Sequence, residues 1–201
     1  MDAVLTCMVD EKIGPGEMNA RFIQSVKEFF KCDGAVAVRS PSIALKYALR
    51  ALCAERGTTV MISALAPSWQ ILALEDFGYT PLVLDVDEAT ALVTADIVSE
   101  GIKKGGRILL LHETNGIMPD MDAIASLGIP VIEDISQSVG SSAPVPEGTE
   151  RTPAEAARAR AGLYGVFAIL SLEERDVVTA GGGAVVMAGS RRDWIPLKKY
   201  T

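Results

Sequence analysis

Short apolar runs that alternate with stretches of helical periodicity constrain this 201-residue chain more than any other feature. The runs cover residues 35–38, 58–63, 80–86, 107–112 and 130–135, and brief turns join them to the helical stretches. After the first run, Ser40 and Pro41 open a helix in which Leu45, Ala48, Leu49 and Leu52 share one face. Residues 67–77 read as a second helix, closed by Gly78, where a positive φ costs little. A short helix around residues 95–103 ends at Gly105 and Gly106. Asp120 caps another over residues 121–127, stopped by Gly128. Strand and helix alternating in this way predict a three-layer α/β/α fold around a mostly parallel sheet with right-handed crossovers.

Two further apolar runs, 165–172 and 183–188, are separated by charged residues and by Gly181 and Gly182, and bring the expected sheet to seven strands. Before the first strand, Phe22, Val26, Phe29 and Phe30 make an apolar helical stripe suited to core or subunit contact. Residues 143–153 read as a loop because proline and glycine interrupt any periodicity. Thr152, Pro153, Ala154 and Glu155 then carry a capping-box signature for a helix running to about Ala161. The length suits one domain: an N-terminal arm and helix over 1–34, and a sheet core over 35–189.

Composition removes several classes of function. The formal net charge of -7 leaves no basic stripe to neutralise a phosphate backbone, so nucleic acid is not an expected partner. Asp2 stands where a secretory leader needs positive charge, and no run reaches the roughly 18 to 20 apolar residues of a membrane span. A cytoplasmic protein without a membrane partner is expected. Cys7, Cys32 and Cys53 are spaced unlike a zinc knuckle and His112 is the sole histidine, so no metal is expected and the thiols should be reduced and mostly buried.

Chemistry in such a sheet gathers where strand carboxyl ends meet helix amino ends. Ser40, Ser42 and the N–H groups after Pro41, including that of Ile43, fall at such a point; they suit either an anion or simple capping. Glu133 and Asp134 end a strongly apolar strand, where a carboxylate needs a partner or must shift its protonation state. Asp134 could face a protonated ring nitrogen, or it could cap the next turn or bond Ser136. Ser171 lies near another strand end and could donate to a phosphate or to solvent. His112 reads as a structural histidine or a base, and Trp69 as core packing or a ring cover.

Three segments together resemble the large domain of the DegT/DnrJ/EryC1/StrS aminotransferases, a branch of the fold-type I pyridoxal-phosphate enzymes. AVAVRSPSIALKYALRAL resembles the family's AVAV-SGT-x-AL turn and helix, with Pro41 in place of the glycine. LLLHETNGIMPDMDAI resembles its VH-x-x-G-x-x-x-x-MD segment, and GIPVIEDISQSVGS resembles GIPVIEDAAQAHGA. The resemblance implies that Ser42 and Ile43 face the cofactor phosphate, Asp134 the pyridine nitrogen and Gln137 the neighbourhood of the ring hydroxyl. GLYGVFAILSL resembles GSFGDIGVFSF, which places Ser171 at a phosphate-contacting serine. It also implies pyridoxal 5'-phosphate as a cofactor, and a homodimer or a pairing with a related aminotransferase subunit.

Departures from the pattern concern the chemistry itself. No lysine occurs between Lys104 and Lys198. In SLEERDVVTAGGGA, Asp176 falls at the place of the family's Schiff-base lysine, and a one-residue slip gives Arg175. Aspartate is no amine, and arginine stays protonated, so neither forms the imine. Glu173, Glu174 and Asp176 also bring negative charge towards a phosphate: two unit charges about 5 Å apart at an effective dielectric of roughly 20 repel by about 3 kcal/mol. Val166 stands at the family's GD aspartate, and Ala66-Pro67 at its T-[FWY] stacking pair. The family's smaller C-terminal domain is expected to be missing, whether the chain is a reduced relative or a fragment.

These features favour a catalytically silent aminotransferase-like protein with a degenerate cofactor site, kept for assembly, regulation or ligand binding. The alternative is an enzyme that still uses pyridoxal or pyridoxamine phosphate on nucleotide-linked keto-sugars. A third class would hold a different small phosphorylated ligand in the same crevice. Gly181 to Gly183 are not followed by the Lys-Ser/Thr of a phosphate loop and read as the family's glycine-rich stretch.

Overall fold

The computed structural model describes residues 2–11, 14–143, 152 and 159–201. One sheet holds β1 (Gly34–Val38), β2 (Thr59–Ser63), β3 (Thr80–Leu84), β4 (Ile108–His112), β5 (Val131–Asp134), β6 (Phe167–Ser171) and β7 (Ala184–Ala188). Their spatial order is β1-β7-β6-β5-β4-β2-β3. β7 runs antiparallel to both neighbours and the other pairings are parallel, as the alternating pattern predicts.

The helices are α1 (Asp2–Val9), α2 (Glu17–Phe30), α3 (Pro41–Ala51), α4 (Ser68–Asp76), α5 (Ala95–Lys103), α6 (Met121–Ala125) and α7 (Arg191–Lys198). They cover both faces of the sheet, which explains why all five residues of β4 are buried. Ile108 and Leu110 pack in the layer of Leu45 and Leu49 from α3 and Leu74 from α4. Leu109 and Leu111 pack in the other, with Val26 and Phe30 from α2 and Val98 from α5. The apolar stripe of α2 is therefore core at Val26 and Phe30, while Phe29 remains half exposed. α3 starts where Ser40 predicts: its Oγ accepts the Ile43 N–H at 3.4 Å, and Pro41 fills the first helical position.

Several boundaries differ from the sequence reading. β3 stops at Leu84 rather than residue 86, where the Asp85 carboxylate accepts the Val86 N–H at 2.9 Å in a local turn. β6 begins at Phe167 because the N–H groups of Tyr164 and Gly165 donate to Glu133 and not to a ladder. Residues 153–158 of the expected capping-box helix lie outside the described residues. Its expected end is not helical: Arg160 bridges Ser142, and the Ala143 N–H donates to the Ala159 carbonyl at 2.7 Å. α7 has a Ser190 cap but carries Pro196 inside it, and periodicity alone did not mark it.

The thiols also differ from expectation. Cys32 is buried, but Cys7 is half-buried and Cys53 is exposed in a left-handed turn after α3. Among the described residues no helix is long and apolar enough to cross a membrane, and no cluster of His, Cys, Asp and Glu suits a metal ion.

α7 closes the β1 edge by laying Trp194 over the first residue of that strand. A Cβ at Gly34 would lie 1.9 Å from Trp194 Cδ2, close to the root of a rigid ring. Gly34→Ala should therefore lower stability by about 1–3 kcal/mol in urea denaturation, and shortening Trp194 to Leu in the same chain should recover part of that loss.

Candidate functional site

Strand order reverses between β2 and β4, and α4 starts from the carboxyl end of β2, which is the edge where open α/β sheets bind ligands. β4, β5 and β6 deliver His112, Asp134 and Ser171 to the same edge: His112 pairs with Asp134, and Ser171 lies two residues beyond Ile169, the partner of Asp134 on β6. Asp134 is fully buried. Its Oδ2 accepts the Gln70 Nε2–H at 2.7 Å and lies 3.0 Å from His112 Nδ1, which acts as donor to the carboxylate. Its Oδ1 accepts the Ser136 N–H at 3.2 Å and the Ser136 hydroxyl. Ser136 Oγ in turn accepts the Ser171 N–H at 3.0 Å, tying β6 to the network.

The carboxylate that needed a partner has four donors. It bonds Ser136, as one reading expects, and also His112 and Gln70. Gln70 is the residue that sequence reasoning missed. Its signal was a lone amide between Trp69 and Ile71 in the apolar middle of α4, but its partner is 64 residues away. Trp69 itself is half-buried and packs on the core beside α3 and α4. His112 is a buried, hydrogen-bonded histidine.

Asp134 and Ser171 are thus joined through Ser136, whereas the other expected residues are spread around them. Ser42 is half-buried in the first turn of α3 and the Ile43 N–H already bonds Ser40. Gln137 is exposed, and its Oε1 accepts the Asn115 N–H at 2.8 Å, pinning a 3-10 turn over Thr114–Gly116. Asp176 sits in the loop between β6 and β7, where its carboxylate accepts the Glu173 N–H at 2.8 Å. That loop closes as a hairpin: the Leu172 N–H donates to Gly183, and the Ala180 and Gly182 N–H groups donate to Leu172. A cleft of about 540 Å³ beside the hairpin is lined by residues such as Asn19, Arg39 and Gly182, and not by Ser42, Asp134 or Ser171.

A second group of carboxyls lies on the opposite face of β5. Glu133 is fully buried and accepts N–H groups from Gly162 and Tyr164, each at 2.8 Å, and from Gly165. Glu113 follows β4 and is also fully buried, and among the described residues neither of its oxygens has a hydrogen-bond partner. Burial first, then the charge of Glu133, pushes the Glu113 carboxyl up to about 10. Burial raises Glu133 as well, but three N–H donors oppose that shift. Burial thus favours the neutral form of Glu113, while the three N–H donors favour the charged form of Glu133.

Residues 1–192 match the DegT/DnrJ/EryC1/StrS aminotransferase family. The chain belongs to that family. It is 24% identical over 180 residues to the L-glutamine:2-deoxy-scyllo-inosose aminotransferase of Micromonospora echinospora, an alignment covering 88% of this chain and 40% of the relative. It is 27% identical over 180 residues to the 3-amino-5-hydroxybenzoate synthase of Amycolatopsis mediterranei (strain S699), covering 87% and 43% respectively. NtdA of Bacillus subtilis, solved with bound PMP, shares the fold with a TM-score of 0.80 at 18% identity, over 98% of this chain and 42% of that one. This family member spans less than half the length of the curated relatives it matches.

The family's cofactor asks for an amine, an acceptor for the ring N–H and a phosphate cradle. The amine is missing between Lys104 and Lys198. The acceptor is already filled, since a carboxylate offers about four lone-pair sites and Asp134 meets four donors. Among the described residues the Ser171 hydroxyl and the Gln70 carbonyl are buried without a partner, and the carbonyl, an acceptor only, offers nothing to a phosphate. The residues present do not fit pyridoxal phosphate in its usual seat.

The Glu113 and Glu133 pair gives two measurable consequences. Glu133→Ala leaves three N–H groups without their acceptor and should lower stability by about 3 kcal/mol or more in urea titration. An ordinary glutamate carboxyl titrates near 4.5, whereas Glu113 keeps its proton to about 10. The folded state therefore holds the extra proton across that window, and its stability falls as pH rises through it. Glu113→Gln needs no proton, so its melting temperature should exceed that of the native protein by about 5 °C or more at pH 9, with a smaller gap at pH 5.

Proposed function

We propose that this family member is catalytically silent and retains the large aminotransferase domain as a scaffold for assembly or ligand binding. The observation that carries the reading is the absence of any lysine from residue 105 to residue 197, in a chain whose β6 to β7 hairpin has Asp176 at the imine position. Asp176 is engaged with its own loop through the Glu173 N–H, and Glu173 and Glu174 add negative charge beside it. Imine chemistry needs an unprotonated amine at the aldehyde, and an aspartate, an arginine or a glutamate does not provide one.

The assembly role is supported by apolar surface on α1, where Val4, Leu5, Met8 and Val9 are exposed. A second copy of the chain or a related aminotransferase subunit fits such a surface. The retained Asp134, Ser171 and α3 amino end support a ligand-binding role, because they lie at the edge of the sheet where α/β folds bind ligands.

The test is a titration with pyridoxal phosphate, followed at about 330 to 430 nm and then by borohydride reduction and peptide mass mapping. The expected result is no saturable imine band and no reduced adduct at a single lysine. A stoichiometric adduct on one lysine of the native protein, together with amine transfer from glutamate to a nucleotide-linked keto-sugar, would restore the enzymatic reading.

A further inference from the structure

We propose that Gln70 is a specificity-determining residue that occupies the hydrogen-bonding place of a pyridinium at Asp134 and so excludes pyridine-ring ligands from this edge of the sheet. The proposal concerns the ring nitrogen and stands apart from the missing imine. Asp134 and Gln70 are both 0% exposed, so the carboxylate is covered by the chain's own side chains. Gln70 Nε2 approaches Oδ2 at 2.7 Å, the distance of a charge-assisted hydrogen bond. All four lone-pair sites of Asp134 are engaged, and a ring N–H gains one only by displacing a donor.

The donors differ in what holds them. His112 is fixed on β4, directly across the ladder from Asp134. Ser136 is fixed by its place two residues on and by the Ser171 N–H that its oxygen accepts. Gln70 reaches in from α4 on a long side chain, and its own carbonyl is buried without a partner. The bond to Asp134 is thus the polar contact that orients its amide. The orientation is determined as well, since the opposite flip would set the carbonyl oxygen against the carboxylate.

Among the described residues the Gln70 carbonyl and the Ser171 hydroxyl are buried without a partner, so a ring N–H that displaces the Gln70 amide leaves that side chain with no polar contact to replace the one it loses.

The experiment uses pyridoxamine 5'-phosphate, which has no aldehyde and reports ring binding whether or not any lysine reacts. Calorimetric titration of the native protein should give a dissociation constant weaker than about 100 μM, and Gln70→Ala should bind at least about tenfold more tightly. The gain should be confined to ligands with a ring nitrogen: the analogue in which CH replaces that nitrogen should improve by less than about threefold. Equal affinity of native and Gln70→Ala proteins overturns the proposal, as does an equal gain for the carbon analogue, which assigns the effect to vacated space. Gln70→Ser, too short to reach Asp134, is read in the same way if the alanine variant does not fold. Native protein that binds pyridoxamine phosphate at about 10 μM or better refutes exclusion without any variant.

Discussion

Two adjacent acids at the end of β5 have to be buried, and much of the surrounding structure follows from how each is accommodated. Strand alternation sends Glu133 to one face of the sheet and Asp134 to the other. Glu133 gathers three backbone N–H groups and thereby shapes the approach to β6. Asp134 gathers donors from β4, from α4 and from the turn that follows it. A carboxylate without such partners costs several kcal/mol at this depth, so neither local structure could relax far without loss of the fold. These acids thus connect the central strands with this edge of the sheet in a single constraint.

The same arrangement shows what the family fold rests on in this chain. Aminotransferase architecture depends on apolar strands, glycine turns and buried acids, and all of these are present. The β6 to β7 hairpin, where Glu173, Glu174 and Val177 are exposed, stands apart from them. Gln70 supplies Asp134 with a donor from within the chain. The carboxylate stays compensated, and the core around α4 remains closed.

The fold was legible because each strand is a short apolar run bounded by a turn, and because local chemistry such as Ser40-Pro41 sets helix starts. Ends were less legible where a side chain intervened: Asp85 terminates β3 by bonding its neighbour, and Glu133 delays β6 from more than thirty residues away. Asp134 and Ser171 were recognisable from strand position and resemblance. Gln70 was not, since nothing near residue 70 announces a partner on β5. Glu113 was hidden for a related reason: a glutamate after a strand normally meets water, and only the three-dimensional packing reveals that it does not. α7 escaped periodicity because Pro196 and its flanking charges contradict the usual helical signals.

β7 reverses direction relative to the strands beside it, and this single reversal turns the segment after Ser171 into a protruding hairpin end instead of a buried crossover. Side chains on such a tip carry little of the packing, so it tolerates changes of charge and length that a buried crossover would not. The sheet can hold its shape while the tip varies.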